Sequence, residues 1–167
     1  MSVLLDTNVL ARLAQNTSPQ HTVAISAVES LEKSGEILCI VPQVLYEFWV
    51  ICTRPIGIPS NGLGLTIDQV KAEIFRAQSL FTFLPDTPDT PAVYIEWQKL
   101  VVQQQIKGKN AHDARLVAAM TVHGINRLLS FNFSDFSRLR GTRTNRPHRK
   151  SKSQTVILNS RYFDWPQ

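Results

Sequence analysis

The sequence alternates short apolar runs with longer segments of helical periodicity, and this alternation restricts its fold more than any other feature. Four runs have the length of buried strands: 2–6 "SVLLD", 36–41 "EILCIV", 80–84 "LFTFL" and 125–131 "INRLLSF". Between them, apolar residues recur at spacings of three and four, as on one face of a helix. Strands that alternate with helices favour a parallel sheet with helices on both faces. We therefore predict an α/β fold with a central, mostly parallel sheet.

Six helices are predicted from this periodicity. One begins at Thr7, and the others cover residues 21–33, 43–53, 66–79, 91–106 and 110–123. Pro55 ends the third helix, and the pair Thr66 and Gln69 has the spacing of a capping box at the start of the fourth. The loop 56–65 is rich in glycine and proline but does not lie between a strand and a helix, as a phosphate-binding loop would. We expect a mobile surface connector there.

Charge is distributed unevenly along the 167 residues. Residues 1–136 have a net charge of −2, whereas residues 137–167 have a net charge of +7. A basic segment of this kind either binds phosphate groups by counterion release or is simply solvated. We predict a domain over 1–136 and a separate basic C-terminal segment over 137–167, with 140–154 largely disordered.

Several classes of protein are disfavoured by the composition. No apolar run approaches the ~20 residues of a membrane span, and "SVLLD" near the N-terminus follows no basic leader, so we expect a cytoplasmic protein without a secretory signal. Cys39 and Cys52 lie in apolar runs and resemble small core residues in a reducing compartment more than a disulfide or a zinc site. The four histidines form no HExxH motif, and no G-x-S-x-G motif is present.

Three acidic residues each have an ordinary structural explanation. Asp6, at the end of the first strand, could cap the helix that begins at Thr7. Asp113 could favour the dipole of a helix whose N-cap is Asn110. Asp135 could belong to a turn after the fourth strand.

Glu47 is harder to explain, because it interrupts the apolar helix "VPQVLYEFWVICTRP" (41–55). A buried carboxylate without a partner is costly. Arg54 is a candidate partner, although it lies two helical turns away. The simpler explanation is a cleft that holds a cation: carboxylates that converge on one sheet edge raise each other's pKa, and a hard divalent ion removes the conflict.

Four segments in this order resemble the PIN domain, specifically the VapC-type ribonuclease toxins of toxin–antitoxin pairs. They are "LLDTNVL" (4–10), "VPQVLYEFWVICTRP" (41–55), "HDARLVAAM" (112–120) and "LLSFNFSDF" (128–136). The resemblance implies a three-layer α/β/α sandwich and Mg²⁺- or Mn²⁺-dependent cleavage of single-stranded regions of RNA. By position, Asp6, Glu47 and Asp113 match the principal catalytic metal ligands. Further matches are a fourth acid, Asp135, and three supporting residues: Thr7, Asn8 and Asn132.

The same resemblance implies binding partners for the chain. It implies an RNA substrate, a cognate antitoxin protein and a homodimer. We expect Arg115 and the basic segment to contact RNA, although Arg115 could equally be the structural partner of a carboxylate.

The C-terminal segment departs from the family pattern. Relatives follow the last acid with a glycine, a short apolar strand and a proline, whereas here "GTRTNRP" (141–147) has no apolar strand residues. Either the last strand is missing, or "TVIL" (155–158) supplies it after an insertion, or the segment has been replaced.

Two alternative functions remain open. One is a catalytically weak PIN-like module that binds nucleic acid and a partner peptide. The other is aspartyl-phosphate phosphotransfer through Asp6, which the presence of Asn8 two residues later disfavours.

Overall fold

A computed structural model describes residues 1–57, 61–86, 91–132, 136, 139 and 156–159, the last four by their backbone. The chain divides into two compact units, Met1–Pro85 and Asp86–Gln167. The predicted boundary between residues 136 and 137 stays a prediction.

The first unit contains three parallel strands and four helices. The strands are β1 (Ser2–Leu5), β2 (Ile37–Ile40) and β3 (Thr82–Phe83), in the order β3-β2-β1. The helices are α1 (Thr7–Ala14), α2 (His21–Lys33), α3 (Pro42–Thr53) and α4 (Ile67–Leu80). The predicted capping box is confirmed, since the side chains of Thr66 and Gln69 bond each other's backbone N–H groups. The predicted strands and helices of this unit are therefore confirmed, with small shifts at their ends.

The core of the first unit explains the continuous apolar runs. Val3, Leu4 and Leu5 are fully buried in β1, as expected for a parallel strand covered on both faces. Cys39 and Cys52 are buried free thiols, as predicted. Burial raises the pKa of both thiols, that of Cys52 to about 11, so both remain protonated at neutral pH.

The second unit contains two helices and two strands among its described residues. They are α5 (Ala92–Gln103), α6 (Asn110–Val122), β4 (Arg127–Ser130) and β5 (Val156–Asn159). Strands β4 and β5 pair in antiparallel register, with Leu128 opposite Leu158. The sequence "TVIL" therefore overlaps a late strand, which confirms one of the three alternatives for the last strand. Residues 140–154, predicted to be disordered, lie outside the described residues.

Helix α6 presents its apolar residues to the interior of its unit. Ala114, Ala118 and Ala119 are fully buried. The indole Nε1 of Trp97, on α5, donates a hydrogen bond of 2.9 Å to the carbonyl of Ala111 and joins the two helices. In the described part of the chain, no helix is both long enough and apolar enough to cross a membrane.

Two glycines end the helices that lead into β2 and β4. Gly35 (φ +72°) follows α2, and Gly124 (φ +63°) follows α6. After α6, the N–H groups of Gly124 and Ile125 donate to the carbonyls of Thr121 and Met120. This is the Schellman pattern, which requires a left-handed residue at the position of the glycine.

We predict that Gly124→Ala lowers the free energy of unfolding by about 1 kcal/mol, because an L side chain is strained in this conformation. No atom lies within 4 Å of an added Cβ, so the cost is conformational and not steric. Chemical denaturation measures it. Gln105→Gly is the matched variant: Gln105 has the same left-handed conformation (φ +51°) after α5, so this change should raise stability. Equal effects of the two substitutions would contradict the prediction.

Candidate active site

Asp6 lies between the end of β1 and the start of α1, and it is buried (9% exposed). The Asn8 side-chain amide donates a hydrogen bond of 2.6 Å to its Oδ2 atom. Asp6 is the N-cap residue of α1, but its side chain makes no capping hydrogen bond. The helix-cap explanation of this carboxylate is therefore wrong, and an amide holds it in place.

Glu47 lies on α3, which follows β2 directly, and it is half-buried. Its Oε2 atom accepts a hydrogen bond of 2.9 Å from the hydroxyl of Thr7. Its Oε1 atom accepts one of 2.8 Å from the side-chain amide of Gln43. Both oxygens therefore have polar partners, which explains how a carboxylate is tolerated in this apolar helix.

The carboxylates of Asp6 and Glu47 are thus fixed by hydrogen bonds from nearby side chains of the same unit. Thr7 and Asn8, adjacent in sequence, donate to Glu47 and to Asp6 respectively. Asn8 therefore contacts Asp6, and Thr7 contacts Glu47, while the supporting roles predicted for both residues stay predictions. All three donors, including Gln43, are neutral. These hydrogen bonds orient the carboxylates.

Gln43 was missed by the sequence analysis. It is buried (6% exposed) and lies four residues before Glu47, so both side chains lie on one face of α3. A polar residue one turn from an unexplained buried acid is the signal that could have identified it.

Asp113 belongs to the second unit and lies in the first turn of α6, where it is half-buried. The N-cap of this helix is Lys109, and Asn110 is already helical. The prediction that Asn110 caps the helix is therefore wrong by one residue. A carboxylate in the first turn does favour the helix dipole, as expected.

Two further predicted site residues, Asn132 and Asp135, lie at or beyond the end of β4 in the sequence. Asn132 follows β4 and is exposed, and its backbone N–H donates to the Ser130 hydroxyl at 3.0 Å. Asp135 lies outside the described residues. Its role, like the supporting role of Asn132, stays a prediction.

Arg115 forms an ion pair within the second unit. Its Nη2 atom lies 2.7 Å from Oδ2 of Asp86, and both side chains are partly exposed. Arg115 is therefore the partner of a carboxylate, which is the structural alternative considered from the sequence. Its contact with RNA stays a prediction.

No three His, Cys, Asp or Glu side chains within the described ranges form a group arranged to hold a metal ion. Asp6 and Glu47 belong to one compact unit and Asp113 to the other. Within the first unit, the structure brings Asp6 and Glu47 together through the hydrogen bonds of Thr7, Asn8 and Gln43.

Comparison with known families identifies the fold. Residues 3–141 match the family model of the PIN domain. The chain belongs to the PIN domain family. Compared with individual curated proteins, the sequence of this PIN domain has no match.

Three solved structures resemble this PIN domain over most of its length. VapBC2 from Rickettsia felis, bound to a promoter DNA fragment, is 15% identical in sequence with a TM-score of 0.58. The matched region covers 83% of this chain and 92% of the VapBC2 chain. VapC20 of Mycobacterium tuberculosis, a sarcin–ricin-loop-cleaving toxin, is 19% identical with a TM-score of 0.56 and corresponding coverage of 81% and 93%. FitAcB from Neisseria gonorrhoeae is 16% identical with a TM-score of 0.52 and coverage of 83% and 93%.

At these identities the solved structures are evidence of fold. Together with the family match, they confirm the predicted three-layer α/β/α sandwich with a central, mostly parallel sheet. They also confirm the resemblance to the PIN domain drawn from the four motifs.

We predict that the bond between Thr7 and Glu47 contributes measurably to stability. Thr7→Val should lower the free energy of unfolding by about 1 kcal/mol in the natural sequence, because a part-buried hydrogen bond is lost. The same change should cost much less in a Glu47→Ala background. Urea denaturation of the four proteins gives the coupling energy.

Thr53→Val supplies the matched control on the same helix. The hydroxyl of Thr53 bonds the backbone carbonyl of Trp49 at 2.9 Å, so its effect should add to that of Glu47→Ala. Additive behaviour of Thr7→Val would contradict the prediction.

Proposed function

We propose that this PIN domain is a metal-dependent endoribonuclease and the toxin of a toxin–antitoxin pair. The observation that carries the proposal is the fixed pair of carboxylates, Asp6 and Glu47, each oriented by neutral donors. These acids occupy the positions of the principal site acids in the VapC-type motifs. The RNA-cleaving VapC20 toxin, with the same fold, supports the choice of RNA as the substrate.

The cation is part of the proposal. Carboxylate oxygens are the ligands that Mg²⁺ and Mn²⁺ prefer. Thr7, Asn8 and Gln43 are neutral donors that orient these carboxylates, so the two side chains fit a divalent ion. We propose that Asp6, Glu47 and Asp113 hold it, with Asp135 completing the set.

When bound, such an ion would activate a water molecule and stabilise the charge that develops on a phosphodiester. The chain's own residues do the positioning. Asn8 fixes Oδ2 of Asp6, while Thr7 and Gln43 fix both oxygens of Glu47, so neither carboxylate has to reorganise during the reaction.

We further infer a cognate antitoxin protein as a partner, and a homodimer. Support comes from the VapC-type motifs and from the folds of VapBC2 and FitAcB.

Calorimetric titration with Mn²⁺ tests the metal site. The natural protein should bind the ion saturably. Asp6→Asn and Asp113→Asn should each weaken binding at least tenfold, because each substitution removes the charge of a ligand while it keeps nearly the same side-chain shape. Asp68→Asn is the matched control: Asp68 lies on α4 with its side chain 95% exposed, so its loss should leave binding unchanged. A folded natural protein that binds no Mn²⁺ at millimolar concentration would refute the proposal.

Cleavage of RNA tests the reaction itself. We expect cleavage of total cellular RNA at discrete sites, abolished by EDTA and restored by excess Mn²⁺. Asp6→Asn should reduce the rate by at least ~100-fold, since a charged group that contacts the transition state is lost. Cleavage that persists in EDTA, or at an unchanged rate in Asp6→Asn, would exclude this mechanism.

A further inference from the structure

A groove of about 600 Å³ lies within the first unit, beside α1 and the end of α3. Its volume falls in the range of about 300–1,000 Å³ typical of pockets for small ligands. The lining includes two arginines, Arg12 and Arg54, and no acidic residue. Three side-chain amides also line it: Asn8, Gln15 and Asn61. The groove therefore has the chemistry of an anion site with additional hydrogen-bonding groups.

Arg54 is the C-cap residue of α3, and its side chain is exposed. It forms no ion pair with Glu47, which bonds Thr7 and Gln43, so the pairing considered from the sequence is wrong. Among the residues that the structure describes, the Arg54 guanidinium has no hydrogen bond or ion pair. Its position at a helix C-terminus suits a cation, but all five of its N–H donors remain for a ligand.

The backbone around Arg54 is held firmly. The N–H groups of Leu63, Gly64 and Leu65 donate to the carbonyls of Ile51, Arg54 and Cys52, at the end of α3. A Cβ at Gly62 would lie 2.1 Å from the Arg54 carbonyl, so this approach requires glycine. This wall of the groove is therefore hydrogen-bonded to the end of α3, and the mobility expected for the loop 56–65 stays a prediction.

Arg12 is positioned in advance of any ligand. Its Nε atom donates a hydrogen bond of 2.7 Å to the Gln20 side chain, which leaves its terminal nitrogens for a ligand. The ring of His21 bonds the Arg12 carbonyl at 2.8 Å. A guanidinium fixed in this way loses little conformational entropy on binding, and its planar fork suits phosphate oxygens.

Asn8 connects the groove to the candidate active site. Its side chain lines the groove and also donates to Oδ2 of Asp6. An anionic chain that starts at the carboxylates can therefore continue along the groove without leaving this unit. The carboxylates of the candidate active site suit the metal-assisted cleavage of a phosphodiester, and the arginines of the groove suit the phosphates next to it.

We propose that this groove binds the backbone of single-stranded RNA next to the bond that is cleaved. Arg12 and Arg54 contact successive phosphates, and the amides of Gln15 and Asn61 contact sugar or base edges. The proposal rests on the function proposed above. An acidic peptide is the alternative occupant, and the experiment separates the two.

The test measures binding of a fluorescein-labelled, twelve-nucleotide oligouridine by anisotropy, in EDTA, with sodium chloride varied upward from 50 mM. Arg54→Gln and Arg12→Gln should each weaken binding about tenfold, as expected for loss of a charged hydrogen bond. Each should also reduce the slope of log affinity against log salt by about 0.7, the value for one phosphate contact on a single strand.

Arg76→Gln is the matched control. Arg76 lies on α4 and pairs with Glu73 at 3.2 Å, so its loss removes the same charge outside the groove. We expect RNA affinity within about twofold of the natural protein. Because Arg54 is exposed, its substitution should leave the thermal unfolding midpoint unchanged.

The proposal would be overturned by absence of RNA binding by the natural protein at 50 mM salt, or by equal RNA affinities of the natural protein and both groove variants. If the groove variants bind polyglutamate more weakly than the natural protein but bind RNA equally well, the groove is the site of an acidic protein partner. That result would also overturn the proposal. Mn²⁺ titration of the same variants separates this failure from failure of the nuclease proposal. The groove variants should bind Mn²⁺ like the natural protein, whereas Asp6→Asn should not.

Discussion

The hydrogen bond from Thr7 to Glu47 connects the two parts of the chain on which the candidate site depends. β1 and β2 are neighbouring parallel strands, so their carboxyl ends reach the same edge of the sheet, where α1 and α3 begin. Thr7 is the first residue of α1, and Glu47 lies one turn into α3. The bond joins these helices at the sheet edge, and the position of Asp6 follows because it precedes Thr7. The geometry of both carboxylates therefore depends on parallel strand pairing and on one part-buried hydroxyl.

The choice of donors determines what the two carboxylates can do. An arginine partner would have stabilised Glu47 by charge neutralisation, and the same α3 helix contains one in Arg54. Instead Arg54 lies at the end of the helix and lines a separate groove, while Glu47 is bonded by a hydroxyl and an amide. Cationic and anionic groups on α3 are thus kept apart. This separation leaves one region suited to a cation and another suited to an anion.

The sequence predicts the fold well because the dominant signals are local. Buried parallel strands require continuous apolar runs, so "SVLLD" and "EILCIV" coincide with β1 and β2 to within one residue at each end. The site is predicted less completely. Glu47 is conspicuous because it is an acid within an apolar helix, and Asp6 matches the motif "LLDTNVL" (4–10), but Gln43 is an ordinary helical residue by sequence. The partners of Thr7 and Arg115 depend on side-chain directions that spacing alone does not determine.

The groove's two arginines differ in how they are held, and this difference has a physical consequence. Arg12 is half-buried and bonded through Nε, so its position is set by Gln20 before a ligand arrives. Arg54 is exposed and has all its donors available, so it must lose rotamer freedom on binding. A fixed cation can define the register of a phosphate chain, whereas a mobile cation tolerates variation in that chain. In the proposed RNA complex, Arg12 therefore positions one phosphate accurately, and Arg54 makes the less stringent contact.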